Sequence, residues 1–244
     1  MWKASAFEIR FRSLIYGVLY GIGLTAPWNR WLHVDSAGPN AHLWGTLAAR
    51  LSMSVPAVSI GAAFNLFLAA GILFAFVAAV LRTWASAHGG SRDVQDAGLA
   101  RAEVVAAGPY RYVRHPRSVG MLVHTLALVL LMPPTGALFV VCSAVLFEAR
   151  LITGEESTLA AKLGAPYLAY CAKVPRLVPR LTARVPASGF GRPRWGAAVV
   201  GELYFWGVWL SFAVVGRRYN SVMILQGVLI SLGFGLIARA AVRE

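Results

Sequence analysis

Residues 57–81, AVSIGAAFNLFLAAGILFAFVAAVL, run for 25 positions without a charge. The hydrocarbon core of a bilayer takes about 20 helical residues, so this stretch is long enough to cross it. No water is available there to satisfy backbone N–H and C=O groups, which forces the segment into a helix. Further apolar runs lie at about 13–28, 118–132, 135–149, 195–216 and 220–238. With 58% hydrophobic and 14% charged residues, the chain has too little polar surface for a soluble domain. The expected fold is therefore all-α: a polytopic transmembrane bundle of about six membrane-embedded helices.

The runs at 118–132 and 135–149 are each short for a full span and are divided by Pro133 and Pro134. This pattern predicts a tight hairpin whose two feet return to the same membrane face. Residues 29–56, with Trp31, His33, Asp35 and Arg50, suit an interfacial connection. Lys3, Arg10 and Arg12 precede the first run as in a signal peptide, but no small-residue cleavage site follows, so an uncleaved helix is expected. The chain divides into N-terminal segments (1–81), a central core with the hairpin (82–194) and a C-terminal hairpin (195–244).

The net charge of +13 does not point to nucleic acid, because the basic residues fall between apolar runs without interleaved aromatics; membrane lipids are the expected partner. Six spans would put the termini, 82–117 and 150–194 on one side, with 19 Lys and Arg residues there against Arg30, Arg50, Arg217 and Arg218 opposite. That side is expected to be cytoplasmic, in a bacterial inner membrane. Cys142 and Cys171 offer no disulfide framework, and no metal site is expected.

GPYRYVRHPRSVG, residues 108–120, sets arginines and a histidine just before the first arm of the hairpin. Anchoring at lipid headgroups explains single arginines there. It leaves unexplained His115 followed by Pro116, which suits a first helical turn, and Gly120, which permits close approach of a backbone or ligand. Downstream, EESTL at 155–159 supplies paired carboxylates at the hairpin's other foot. His115 and Glu156 are thus expected to be neighbours, although Thr153 and Glu156 also have the spacing of a helix capping box. Gly164 with Pro166 predicts a helix stop. A carboxylate pair facing an Arg/His cluster suits a zwitterion, whether a phospholipid headgroup or a small cofactor. Outside this cluster, Asn65 reads as a bond across helices, Glu202 as a residue near an interface, His124 as packing, Arg82 and Trp84 as anchors of the second run, and YFWGVW at 204–209 as an interface belt or packing face.

LRTWA at 81–85, VVAAGPYRYVRHP at 104–116, Gly120, EESTL at 155–159 and LGAPYLAYCAKVPRLVP at 163–179 occur in an order that resembles the membrane-embedded methyltransferases, which include isoprenylcysteine carboxyl methyltransferase and the phospholipid N-methyltransferases. The resemblance extends from Leu81 to Arg180. It implies S-adenosylmethionine held between the RHP and EExxL segments at the cytoplasmic face, with Tyr112, Arg114, His115, Pro116, Ser118, Gly120, Glu155 and Glu156 as its binding residues. A lipophilic acceptor would enter from the membrane, and its acceptor atom (carboxylate, amine or thiol) stays open. Arg150 and Glu156 are the implied catalytic residues, with Arg150 orienting an anionic acceptor. Ser118 stands where the family often has an aromatic. Sterol-type NADPH-dependent reductases resemble the same skeleton, but the adjacent Glu155 and Glu156 favour the methyltransferase. A non-enzymatic lipid-binding protein is the remaining alternative.

Overall fold

The computed structural model describes residues 3–26, 28, 31, 42–89, 104, 106–188 and 192–242. The expected interfacial anchors His33 and Asp35 lie outside the described residues, as does the whole polar stretch 90–103. All regular structure among the described residues is helical: α1 Ala6–Arg10, α2 Arg12–Thr25, α3 Leu43–Ser54, α4 Ile60–Gly89, α5 Pro116–Leu128, α6 Pro134–Leu163, α7 Ala165–Lys173, α8 Trp195–Gly201, α9 Leu203–Leu210 and α10 Ser221–Val242.

Of the six expected membrane-embedded helices, the structure supports three or four as full spans. Among the described residues, α4, α6 and α10 are long and apolar enough to cross a membrane; Trp195–Gly201 with Leu203–Arg218 makes a fourth if that pair, bent by 64°, is one span. Helix α2, with 14 residues, reaches only about 21 Å, and α5 even with its short 3-10 extension to Leu131 stays below the ~30 Å core. The hairpin turns at the two prolines as expected, but its second arm is not short. Helix α6 runs unbroken for 30 residues, about 45 Å, and carries TGEE well past the apolar part.

That continuity removes the capping-box reading. Thr153 lies mid-helix, and its hydroxyl donates to the carbonyls of Ala149 and Arg150, each at 3.0 Å. The helix stops at Gly164, whose φ of 59° lies in the left-handed region that glycine enters without strain.

Small residues set the packing. Gly71, Ala75, Ala78 and Ala79 form buried positions on α4, so α5 can lie close along it without the hydrophobic drive that water would provide. Helix α2 runs antiparallel to α6 and crosses it where Gly23 meets Gly136. A Cβ on Gly136 would collide with the Gly23 carbonyl. Gly136→Ala is expected to push the helices apart and cost about 1–3 kcal/mol, read as a lower unfolding temperature; unchanged stability would refute the close crossing.

The polar elements gather at the end of the bundle away from the proline turn. Ala4 N–H donates to the Arg150 carbonyl at 3.1 Å, and Arg194 N–H to that of Ala87 at 3.0 Å. Residues 174–188 run back along 106–115, with Arg114 N–H donating to the Pro175 carbonyl at 2.8 Å and Ser188 N–H to that of Ala106 at 3.0 Å. At the opposite end, Leu43 N–H donates to the Met132 carbonyl at 2.7 Å. There Tyr219 donates to Asn65 Oδ1 at 2.7 Å, the bond across helices expected for Asn65.

Candidate functional site

A cavity of about 1010 Å³ runs through the bundle, walled by α2, the segment entering α5, α6, the bend at Glu202 and α10. One stripe of α6 faces it: Glu148, Leu151, Glu155, Leu159 and Leu163 all line the wall. Their spacing of three or four residues repeats on one helix face. Arg114, His115, Pro116, Arg117 and Ser118 line the facing wall at the polar end, with Tyr167 and Tyr170 of α7 beside them. Toward the proline turn the walls become apolar, through Leu24, Leu128, Leu131 and Met132.

The structure makes neighbours of His115 and Glu156, as the hairpin argument requires. His115 Nε2 lies 3.1 Å from Glu156 Oε1, and its Nδ1 lies 3.4 Å from Glu155 Oε2. Both ring nitrogens can donate only if the imidazole is protonated. Burial works against the charge, but the hydrogen bonds to Glu155 and Glu156 outweigh it and raise the His115 pKa above its ordinary 6.5. A raised folded-state value stabilises the protein fully below the unfolded pKa and loses that contribution as pH rises through the folded one. The stability difference between the native protein and His115→Ala is therefore expected to be largest below pH 6.5 and to shrink on the alkaline side. A difference independent of pH in thermal melts would contradict the double bridge.

Glu156 is the hub of the cluster rather than a wall residue. It accepts from Arg114 Nη1 at 2.7 Å and from Arg176 through both of that guanidinium's Nε and Nη2. Glu155 instead faces the cavity, and among the described residues its side-chain partner is His115. Arg114 Nε is buried and has no hydrogen-bond partner among the described residues. Tyr112 stacks toward Trp84, ring centroids 5.9 Å apart, and does not line the cavity. Gly120 sits behind the wall, where a Cβ would come within 2.7 Å of Arg82 Cγ. Arg150 is placed elsewhere: its Nε and Nη2 donate to Glu8 of α1, both at 2.9 Å.

Two groups that sequence reasoning set aside or passed over also line the cavity. Glu202, only 2% exposed, accepts from Arg82 Nε at 2.8 Å and from Ser86 Oγ at 2.6 Å, with Arg117 Nη2 at 3.4 Å. It is buried inside the bundle, and Arg82, expected as an anchor, turns inward to it, with its guanidinium 4.1 Å from the Phe205 ring. Glu148, also buried, accepts from the Tyr16 hydroxyl at 2.7 Å. Its signal in the sequence was a lone carboxylate at the end of an apolar run, a functional candidate by default in a membrane segment. His124 packs among Tyr20, Tyr204 and Phe205, as expected of a packing residue. Among the described residues no group of three or more His, Cys, Asp or Glu side chains gathers to hold a metal ion.

These features define a helical membrane protein with a cavity that is charged at one end and apolar at the other. Residues 67–161 match the model of the isoprenylcysteine carboxyl methyltransferase (ICMT) family, a match consistent with an ICMT-like protein. The family implies a methyltransferase enzyme working in a membrane. Comparison with curated proteins and with solved structures found no match. The matched residues run from within α4 through α5 almost to the end of α6, so they carry both charged walls; α2, the bend at Glu202 and α10 complete the cavity from outside them.

Proposed function

We propose that the chain transfers a methyl group from S-adenosylmethionine to a lipophilic acceptor drawn from the membrane. The observation that carries this reading is the polar end of the cavity, where groups of both signs face each other across space large enough for a cofactor and part of an acceptor. The unpartnered Arg114 Nε suits the cofactor's carboxylate, and Glu155 suits its ammonium or ribose hydroxyls. His115, Pro116 and Ser118 would form the floor between them. Tyr112 and Gly120 would act from behind, one by bracing the segment and the other by letting Arg82 pass.

Bound there, S-adenosylmethionine would supply an electrophilic methyl group on a sulfonium that is already a good leaving group. The chain's own work is then to hold, orient and keep water out. Glu156 positions Arg114 and His115. Arg150 would orient an anionic acceptor only after its pair with Glu8 opens. Arg10, Arg12, Arg82, Arg114 and Arg117 line the cavity toward its polar end, and basic residues gathered at one face support a site facing the cytoplasm.

The test is incubation of the purified protein with methyl-labelled S-adenosylmethionine and a membrane extract, followed by mass spectrometry. The expected result is label in a lipophilic product, lost in Glu155→Gln. Absence of any labelled product alongside NADPH-dependent reduction would overturn the reading in favour of a reductase.

A further inference from the structure

Glu148 is a carboxylate inside a membrane helix, 5% exposed, on the cavity wall. One oxygen accepts from Tyr16, and no Lys, Arg or His nitrogen among the described residues forms an ion pair with it, whereas Glu155, Glu156 and Glu202 all have such pairs. A buried carboxylate without a cation is costly, and membrane segments keep such residues where a ligand, ion or proton meets them. The cavity's inner guanidiniums are committed, Arg82 and Arg117 to Glu202 and Arg114 to Glu156. Arg10 and Arg12 line the wall at the polar end, ahead of Tyr16 in the chain.

We propose that Glu148 with Tyr16 forms the headgroup subsite of the methyl acceptor and selects a lipophilic amine, bound as its ammonium; to expose the lone pair that accepts a methyl group, the ammonium gives its proton to the Glu148 carboxylate. Calling this ligand the acceptor rests on the methyltransferase reading; the subsite itself does not. Glu148 and Glu155 are seven residues apart on one face of α6, about 10 Å along the axis, so the subsite is separate from the Glu155 end but in the same cavity. Beyond Glu148 the wall continues for about 21 Å to the proline turn, and the apolar side chains Leu24, Leu128, Leu131 and Met132 face it. That part suits an alkyl chain. A carboxylate head would meet the like charge of Glu148, and an alcohol would leave that charge uncompensated.

The subsite is tested without cofactor, by native mass spectrometry of the detergent-solubilised protein titrated with decylamine, decanoate and decanol. The expected result is one saturable decylamine per chain, bound at least about tenfold more tightly than either of the others. Glu148→Gln is expected to erase that preference, and Tyr16→Phe to reduce it. Preference for decanoate in the native protein, or an undiminished amine preference in a folded Glu148→Gln variant, would overturn the proposal. Because the native protein's preference needs no variant, misfolding of Glu148→Gln does not rescue it. Amine selectivity in a protein that binds no S-adenosylmethionine would sink the methyltransferase reading and leave the subsite standing; cofactor binding without amine selectivity would do the reverse.

Discussion

Glu202→Ala is expected to destabilise the protein by about 3–5 kcal/mol, because removing one partner of a buried ion-pair network leaves the other charges uncompensated. Glu202 holds Arg82, Arg117 and Ser86 at once, and the Ala variant would leave the Arg82 guanidinium without its carboxylate inside the bundle and take one partner from Arg117. The same carboxylate sits at the 64° bend and ties the C-terminal segment to α4 and α5 through Arg82 and Arg117, so the cavity wall is expected to loosen as well. Replacing the charges together, as Arg82→Met with Glu202→Leu, is expected to cost less than Glu202→Ala alone, since no orphaned charge remains at that pair. Equilibrium unfolding in detergent measures both. A loss within about 0.5 kcal/mol for Glu202→Ala, the range of ordinary surface changes, would show that the network carries no structural load.

The second large effect is expected at Glu156. Glu156→Gln keeps the shape but removes the charge that His115, Arg114 and Arg176 share. Charge-assisted hydrogen bonds are worth about 1.5–3 kcal/mol, so S-adenosylmethionine affinity is expected to fall roughly ten- to a hundredfold as Arg114 and His115 lose their alignment. The loss of a neighbouring carboxylate also lowers the His115 pKa, a change visible in its NMR titration. A His115 titration unmoved by the substitution would contradict the His115–Glu156 contact. Thr153→Ala serves as the contrasting variant: a mid-helix hydroxyl bonded to its own helix backbone is expected to change stability by less than about 0.5 kcal/mol and to spare the cofactor.

The sequence made the central cluster legible because its logic is local. Two prolines turn the hairpin, both feet return to one face, and His115 therefore meets Glu156 across 41 positions. The stop at Gly164 was legible for the same reason. What escaped depends on partners far apart in the chain: Arg82 and Glu202 are 120 positions apart, and Glu8 and Arg150 are 142. Nothing in the pattern of one sequence pairs them, so Arg82 and Glu202 read as interface residues. The length of α6 escaped for another reason. Polarity after residue 149 marks where apolar surface ends, not where the helix does, since Glu, Ala, Leu and Lys at 155–163 are good helix formers in water. Glu148 fell at that border, where one carboxylate looks like the first polar residue of a loop.

Titration of the purified protein with S-adenosylmethionine and, separately, with NADPH in a calorimeter tests the cofactor assignment most directly. The expected result is saturable binding of one S-adenosylmethionine per chain, weakened in both Glu155→Gln and His115→Ala, with no binding of NADPH. Saturable NADPH binding without S-adenosylmethionine binding, or S-adenosylmethionine binding unaffected by either substitution in folded protein, would contradict it.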